Sequence, residues 1–220
     1  MKERTIRVTG KGKISVKPDT IRININASKV FKEYEQAVEG SAEETGLLRE
    51  AIARAGLDPK SLKTTHFGID TEYESYRDKK DRYRSRFVGY RYNHSLYFQF
   101  ENDNKLLGRV LYELAHCSVD VKFSLMHTVK DEEAVKNELL AKAVEDSRAK
   151  AEALTRAAGV SLGEIQLIDY SWGELQIYSE PMRYMDMECA KIGCAGSIDI
   201  DIEADDIDVQ DTVTVVWEIA

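Results

Sequence analysis

Disulfide frameworks and metal knuckles need more sulfur than this sequence holds. It has three cysteines in 220 residues, Cys117, Cys189 and Cys194, an odd number with no C-x-x-C or zinc-type spacing. That usage fits a reducing compartment. No apolar run approaches the ~18 residues of a membrane span, and the charged start, Met1-Lys2-Glu3-Arg4-Thr5-Ile6-Arg7, lacks a secretory apolar core. As written the chain is expected in the cytoplasm, or in the periplasm or cell envelope if a leader was removed. Positive charge is also in deficit: 31 Lys+Arg stand against 39 Asp+Glu, a net charge of -8. Nucleic acid is therefore excluded as a main partner, and no membrane span is expected. What remains, 43% hydrophobic and 32% charged residues, describes a packed globular protein and excludes disorder and collagen.

Thr5 to Ile25 alternates β-branched with polar residues and is interrupted at Gly10-Lys11-Gly12 and Pro18-Asp19, which predicts two or three short strands joined by turns. Gly10-Lys11-Gly12-Lys13 is no phosphate loop, because that motif needs four residues between its glycines and Ser or Thr after its lysine. A helix follows over Lys32 to Ala55 with Tyr34, Val38, Ser41, Thr45, Leu48, Ile52 and Ala55 as its core stripe. Gly40 and Gly46 each cost about 1 kcal/mol relative to Ala, so packing against a sheet must hold it.

Two long strands around a polar turn come next, with Phe67, Ile69, Thr71 and Tyr73 on one face and Val88, Tyr90, Tyr92, Leu96, Phe98 and Phe100 on one face of the return. The tip from Arg77 to Arg86 carries a surplus of four positive charges, and is expected to be solvated or held by an acidic partner. Asn102 or Asp103 caps a short helix bearing Leu106, Leu107, Val110, Leu111 and Leu114, and a strand carries Val119 to Val129. A helix from about Asp131 to Ala158 presents Val135, Leu139, Ala143, Ser147, Ala151, Leu154 and Ala158 and stops at Gly159. Ile165 to Tyr178 is β-like with a break at Trp172-Gly173, Glu180 to Gly196 reads as loop, Ile198 to Ala204 as a strand with an acidic face, and Val213 to Ile219 as the last strand. There is no internal repeat.

No G-x-S-x-G elbow or catalytic cysteine signature is present, and His116-Cys117 is adjacent in sequence only. His94 and His127 fall on apolar strand faces, where a carbonyl or tyrosine hydroxyl is the expected partner. A hydrolase would need one of them beside a nucleophile, and a shared metal site would need their strands to be neighbours. Met182, Met185, Met187, Cys189 and Cys194 form a soft-ligand run suited to Cu(I), although such residues also fill protein contacts. Seven carboxylates between Asp199 and Asp211 suggest calcium, but neighbours on one strand face stand ~6.8 Å apart, too far for one ion shell.

Val8-Thr9-Gly10-Lys11-Gly12, Val16-Lys17-Pro18-Asp19-Thr20, the Gly56-Leu57 helix end, Thr64, Tyr73 and Gly89-Tyr90 line up in order with Lys142-Ala143, Asp146-Ser147-Arg148-Ala149-Lys150-Ala151, Leu154, Gly159-Val160-Ser161-Leu162-Gly163, Gly196 and Val213-Thr214-Val215-Val216-Trp217. Together they resemble the SIMPL domain family over nearly the whole chain. Ser147, Ala195 and Trp217 stand where that pattern usually has Ala, Pro and an aromatic Tyr or Phe. The resemblance implies an α+β protein with no established catalytic site, relatives that are often exported, and members that assemble into ring-like or channel-like homo-oligomers.

The expectation is an α+β fold of mainly antiparallel or mixed sheet with about three helices. It forms one domain over residues 1–220, or two α/β lobes joined by the long hairpin. The expected function is a non-enzymatic, self-associating scaffold or binding protein without a cofactor, tied by resemblance to envelope or stress physiology, whose partner is itself or an unidentified protein. Arg82, Arg84 and Arg86 are expected to meet Asp199, Asp201 and Glu203 of another subunit. The alternative is a soft-metal or small-molecule binder using Met182, Met185, Cys189 and Cys194.

Overall fold

The computed structural model of the chain describes residues 4–78, 80–170, 175–186 and 202–220, and the side chains of residues 121 and 180–186 fall outside the description. In chain order the elements are β1 (Thr5–Val16), β2 (Thr20–Phe31), α1 (Tyr34–Arg54), a 3-10 turn (Pro59–Ser61), β3 (Lys63–Arg77), β4 (Tyr83–Glu101), α2 (Asn104–Ala115), β5 (Val121–Thr128), α3 (Glu132–Ala158), β6 (Leu162–Asp169), β7 (Tyr178–Asp186) and β8 (Ile207–Ile219). The fold is α+β with three α-helices and two sheets, ordered β1-β8-β6 and β3-β4-β2-β5-β7. Every pairing of known register is antiparallel. Among the described residues no helix is long and apolar enough to cross a membrane.

The chain divides into two compact units. One comprises Met1–Pro18, Thr128–Ser179 and Asp205–Ala220; the other comprises Asp19–His127 and Glu180–Ala204.

In the first unit Gly10 and Gly12 are not at a turn, as predicted, but inside the unbroken strand β1. Long-range packing overrides their turn propensity. A Cβ on Gly10 would overlap the Ala143 carbonyl and Ser147, and one on Gly12 would overlap the Leu139 carbonyl. α3 therefore lies with its backbone almost on the strand, and its buried row, Leu139, Ala143, Ser147, Ala151 and Thr155, repeats every fourth residue, leaving the predicted Leu154 outside. The same helix covers the free edge of β1. The Lys11 N–H donates to Asp146 Oδ2 at 2.7 Å, Lys150 Nζ donates to the Thr9 carbonyl at 3.3 Å, Ser147 Oγ donates to the Val8 carbonyl at 3.3 Å, and Asp146 pairs with Lys150 at 2.6 Å. Strand groups that would otherwise template pairing are thereby satisfied. Asp131 caps α3 by accepting from the Ala134 N–H at 2.9 Å, and Gly159, at φ 72°, ends it in the left-handed conformation.

The second unit follows the order β2-α1-β3-β4-α2-β5 with spatial order β3-β4-β2-β5, the split βαβ arrangement, and β7 adds at the β5 side. Period-two alternation places Ile21, Ile23, Ile25 and Ala27 in one core with Leu96, Phe98, Leu48, Ile52, Leu107, Leu114 and Leu125. Each fully buried side chain of this size contributes ~1.5–3 kcal/mol. Asp103 caps α2 by accepting from the Lys105 and Leu106 N–H groups at 2.8 and 3.4 Å.

α1 forms where predicted, with Ser41, Leu48, Ile52 and Ala55 of its predicted stripe buried, but its N-terminal turns depart from that stripe. Its buried face is Ala37, Gly40, Ser41, Leu48, Ala51 and Ile52, whereas Tyr34 and Val38 are exposed. The cause is Gly40: its bare Cα sits on the Phe31 ring, so at this end Ala37, Gly40 and Ser41 face the sheet and Tyr34 and Val38 are turned out. Two more expectations change. Residues 178–186, read largely as loop, are β7, where an edge position tolerates Pro181. The strand predicted over 198–204 is absent from 202–206, because apolar positions switch from even at Ile202 and Ala204 to odd at Ile207 and Val209 across Asp205-Asp206; residues 198–201 lie outside the described residues.

Candidate interaction site

β2 stops at Phe31, opposite Tyr90, while β3 and β4 run on together to Arg77 and Tyr83. Residues 72–77 and 83–89 thus form a two-stranded ribbon with no third strand beside it among the described residues. Such ribbons are at best marginally stable alone in water. At its root the pairing shifts from Glu72↔Gly89 to Tyr73↔Phe87, leaving Val88 as a bulge. Gly89 makes this turn of face possible: its φ is 156°, and a Cβ there would overlap the Phe31 carbonyl. The predicted grouping of Val88 with Tyr90 is corrected accordingly, since the bulge puts Phe87 on the Tyr90 face.

The two faces of the ribbon differ. One carries an edge-to-face chain of rings, Tyr34 to Tyr90 at 5.7 Å, Tyr90 to Phe87 at 5.4 Å and Phe87 to Tyr73 at 5.6 Å, and continues through Ser75↔Ser85 to Arg77↔Tyr83, where the guanidinium lies 4.7 Å over the ring. The other carries Glu74↔Arg86, paired at 2.7 Å, and Tyr76↔Arg84.

At the tip Asp78 accepts from the Lys80 and Arg82 N–H groups at 2.8 and 3.1 Å and pairs with the Arg82 and Arg84 guanidiniums at 3.2 and 3.5 Å. The two backbone N–H bonds, and then the arginines, hold its carboxyl below the usual range. Asp81, at φ 57°, pairs with Arg77 at 2.8 Å. Arg82, Arg84 and Arg86 are therefore already held by carboxylates of their own hairpin. Of their expected acidic counterparts, Glu203 is exposed, and Asp199 and Asp201 lie outside the described residues.

Under α1 the same sheet holds a polar layer. His94 accepts or donates at both ring nitrogens, Nδ1 with Ser41 Oγ and Thr45 Oγ1 at 3.3 Å each and Nε2 with Thr64 Oγ1 at 2.9 Å. These hydroxyls replace the carbonyl or tyrosine partner predicted. Burial, and then Arg49, lowers its pKa. The buried Tyr92 hydroxyl donates to Glu44, which also pairs with Lys29 at 2.9 Å; burial and then Glu44 push the phenol up. His127 is fully buried, neither ring nitrogen has a partner among the described residues, and burial lowers its pKa.

β4 and β5 are separated by β2, so His94 and His127 are not on neighbouring strands. His116 Nδ1 bonds the Tyr112 carbonyl at 2.8 Å, and Cys117 packs against the core. Met182 and Met185 belong to β7, while Met187, Cys189 and Cys194 lie outside the described residues. Among the described residues no three His, Cys, Asp or Glu side chains are grouped to hold a metal. The aromatic face escaped sequence reasoning, although its signal was present in the run of rings from Tyr73 to Tyr90.

The pieces that carried the resemblance now have positions: Gly10 and Gly12 lie beneath α3, and Asp146, Ser147 and Lys150 hold the β1 edge. A family model described as SIMPL, protein of unknown function (DUF541), matches residues 6–217. The chain belongs to the SIMPL family. It is similar to the 26 kDa periplasmic immunogenic proteins of Brucella melitensis biotype 1 (strain 16M) and Brucella abortus (strain S19), 28% identical to each over 160 residues. These alignments cover 73% of this SIMPL chain and 64% of each relative, so less than two thirds of those proteins is matched.

Proposed function

We propose that this SIMPL protein is a non-enzymatic, self-associating scaffold or binding protein, and that it works in the periplasm or cell envelope, as the names of its relatives suggest. The observation that carries the reading is the β3–β4 ribbon, which stands beyond the sheet with aromatic and arginine side chains uncovered. Tyrosine and arginine are the residues that dominate protein contacts, and an unsupported ribbon gains order when a partner covers it.

In this reading Arg82, Arg84 and Arg86 meet Asp199, Asp201 and Glu203 of a neighbouring copy. Each exposed pair contributes only ~0–1 kcal/mol and is screened by salt, so the charges steer and align more than they bind. Light scattering on the full chain across a salt series tests it. The expected result is an assembly whose mass falls when the three arginines become glutamates; an unchanged assembly removes the charge contact, and a wild-type monomer at every salt removes self-association.

A further inference from the structure

We infer that the aromatic face of the ribbon, extended by Tyr34 and Val38 of α1, is covered by the same face of a second copy, antiparallel about a two-fold axis close to Tyr73 and Phe87. This rests on the self-association reading and names the surface that supplies its energy.

The row is continuous and uncovered. From root to tip, Val38 is 41% exposed, Tyr34 54%, Phe87 45%, Tyr73 57% and Tyr83 74%. Val38 and Tyr34 are one helical turn apart on α1, hence on one side of it, and Tyr34 touches Tyr90. At ~200 Å² per aromatic side chain, Tyr34, Phe87, Tyr73 and Tyr83 leave on the order of 450 Å² open. That is more than half of the ~800 Å² each partner contributes to a stable interface. Edge-to-face stacking also makes the surface a series of ridges and slots, which an identical row run in the opposite direction can fill.

Charge selects the direction and the partner. The tip has Arg77 and Lys80 within its cationic surplus, while the root has Glu33 and Glu35 on either side of Tyr34, both exposed and in no ion pair among the described residues. Antiparallel copies bring each tip to the other's root. Parallel copies would set tip against tip, and an anionic lipid surface would attract the tip but repel the root.

The test is the dissociation constant of the full chain by sedimentation equilibrium, with far-UV circular dichroism and the thermal midpoint as controls. Tyr73→Ser with Phe87→Ser is expected to raise it at least about tenfold while leaving the midpoint in place, because neither ring belongs to the core clusters. Should that pair loosen the hairpin, Tyr83→Ser alone, at the ribbon's far end, is expected to weaken association with the fold intact. Glu33→Arg with Glu35→Arg should weaken it too, and adding Arg77→Glu with Lys80→Glu should restore it. A wild-type chain that is monomeric at every concentration overturns this inference together with self-association. An assembly indifferent to the serine variants but lost on replacing Arg82, Arg84 and Arg86 overturns the inference and leaves the arginine contact standing. Flotation of a monomeric wild-type chain with phosphatidylglycerol vesicles, abolished by the serine variants, would also overturn it.

Discussion

The α3–β1 contact of one unit and the β3–β4 ribbon of the other use opposite ends of the side-chain size range for opposite purposes. Where α3 meets β1 the residues are Gly10, Gly12, Ala143, Ser147 and Ala151, with nothing left uncovered. In the ribbon they are Tyr73, Tyr76, Tyr83 and Phe87, with no third strand paired to the ribbon among the described residues. Close backbone approach is a solution to internal packing and leaves little for a partner to read. Large exposed rings destabilise nothing inside the molecule and present much outside it. The helix motif within the family resemblance thus has a structural role, and the proposed recognition surface lies elsewhere in the chain.

The sharpest way to break this contrast is Gly10→Val. A branched side chain driven into the Ala143 carbonyl and Ser147 should destabilise the first unit by about 3 kcal/mol or more, read as a lost or lowered denaturation midpoint; a wild-type midpoint would show that α3 can lift off β1 without loss.

A second test uses acid. All four histidines lie in the second unit, and His94 and His127 are held neutral by burial, with pKa values lowered from 6.5. Between the unfolded value and the lowered folded values the unfolded chain binds more protons, so their contribution is fully present above about pH 6.5 and is lost as pH falls through that window. Hydrogen exchange between pH 7 and 5 should therefore loosen the second unit's core strands before those of the first, and His127→Gln should reduce the difference. Equal loosening of both units would contradict it.

The smallest expected effect is at Gly46, which has open space where a Cβ would go and an ordinary helical backbone. Gly46→Ala should raise stability by ~0.5–1 kcal/mol, the reverse of a change at Gly10 in the same residue type. A destabilised Gly46→Ala chain would mean that α1 is packed more tightly than its surroundings indicate.

Local chemistry made much of the fold legible. The caps at Asp103 and Asp131, the stop at Gly159, the alternation in β2 and β8 and the extent of α3 all follow from neighbours in sequence. The candidate site was half legible. Its charge and its aromatic richness stand in the sequence from Tyr73 to Tyr90, but the placing of Phe87 on the same face as Tyr73 and Tyr90 depends on the Val88 bulge and on Gly89 meeting the Phe31 carbonyl. Tyr34 and Val38 carried the right period for a core and still ended outside it.

By itself, the sequence determined the three helices and the place of most strands, because hydrophobic period, capping groups and glycine conformation act over a few residues. Only the tertiary structure decided that Gly10 and Gly12 are a floor for a helix, that α1 turns Tyr34 outward, and that β4 outruns β2. Each of these depends on what lies across from a residue after the chain has returned from far along its length, and periodicity carries no information about that neighbour.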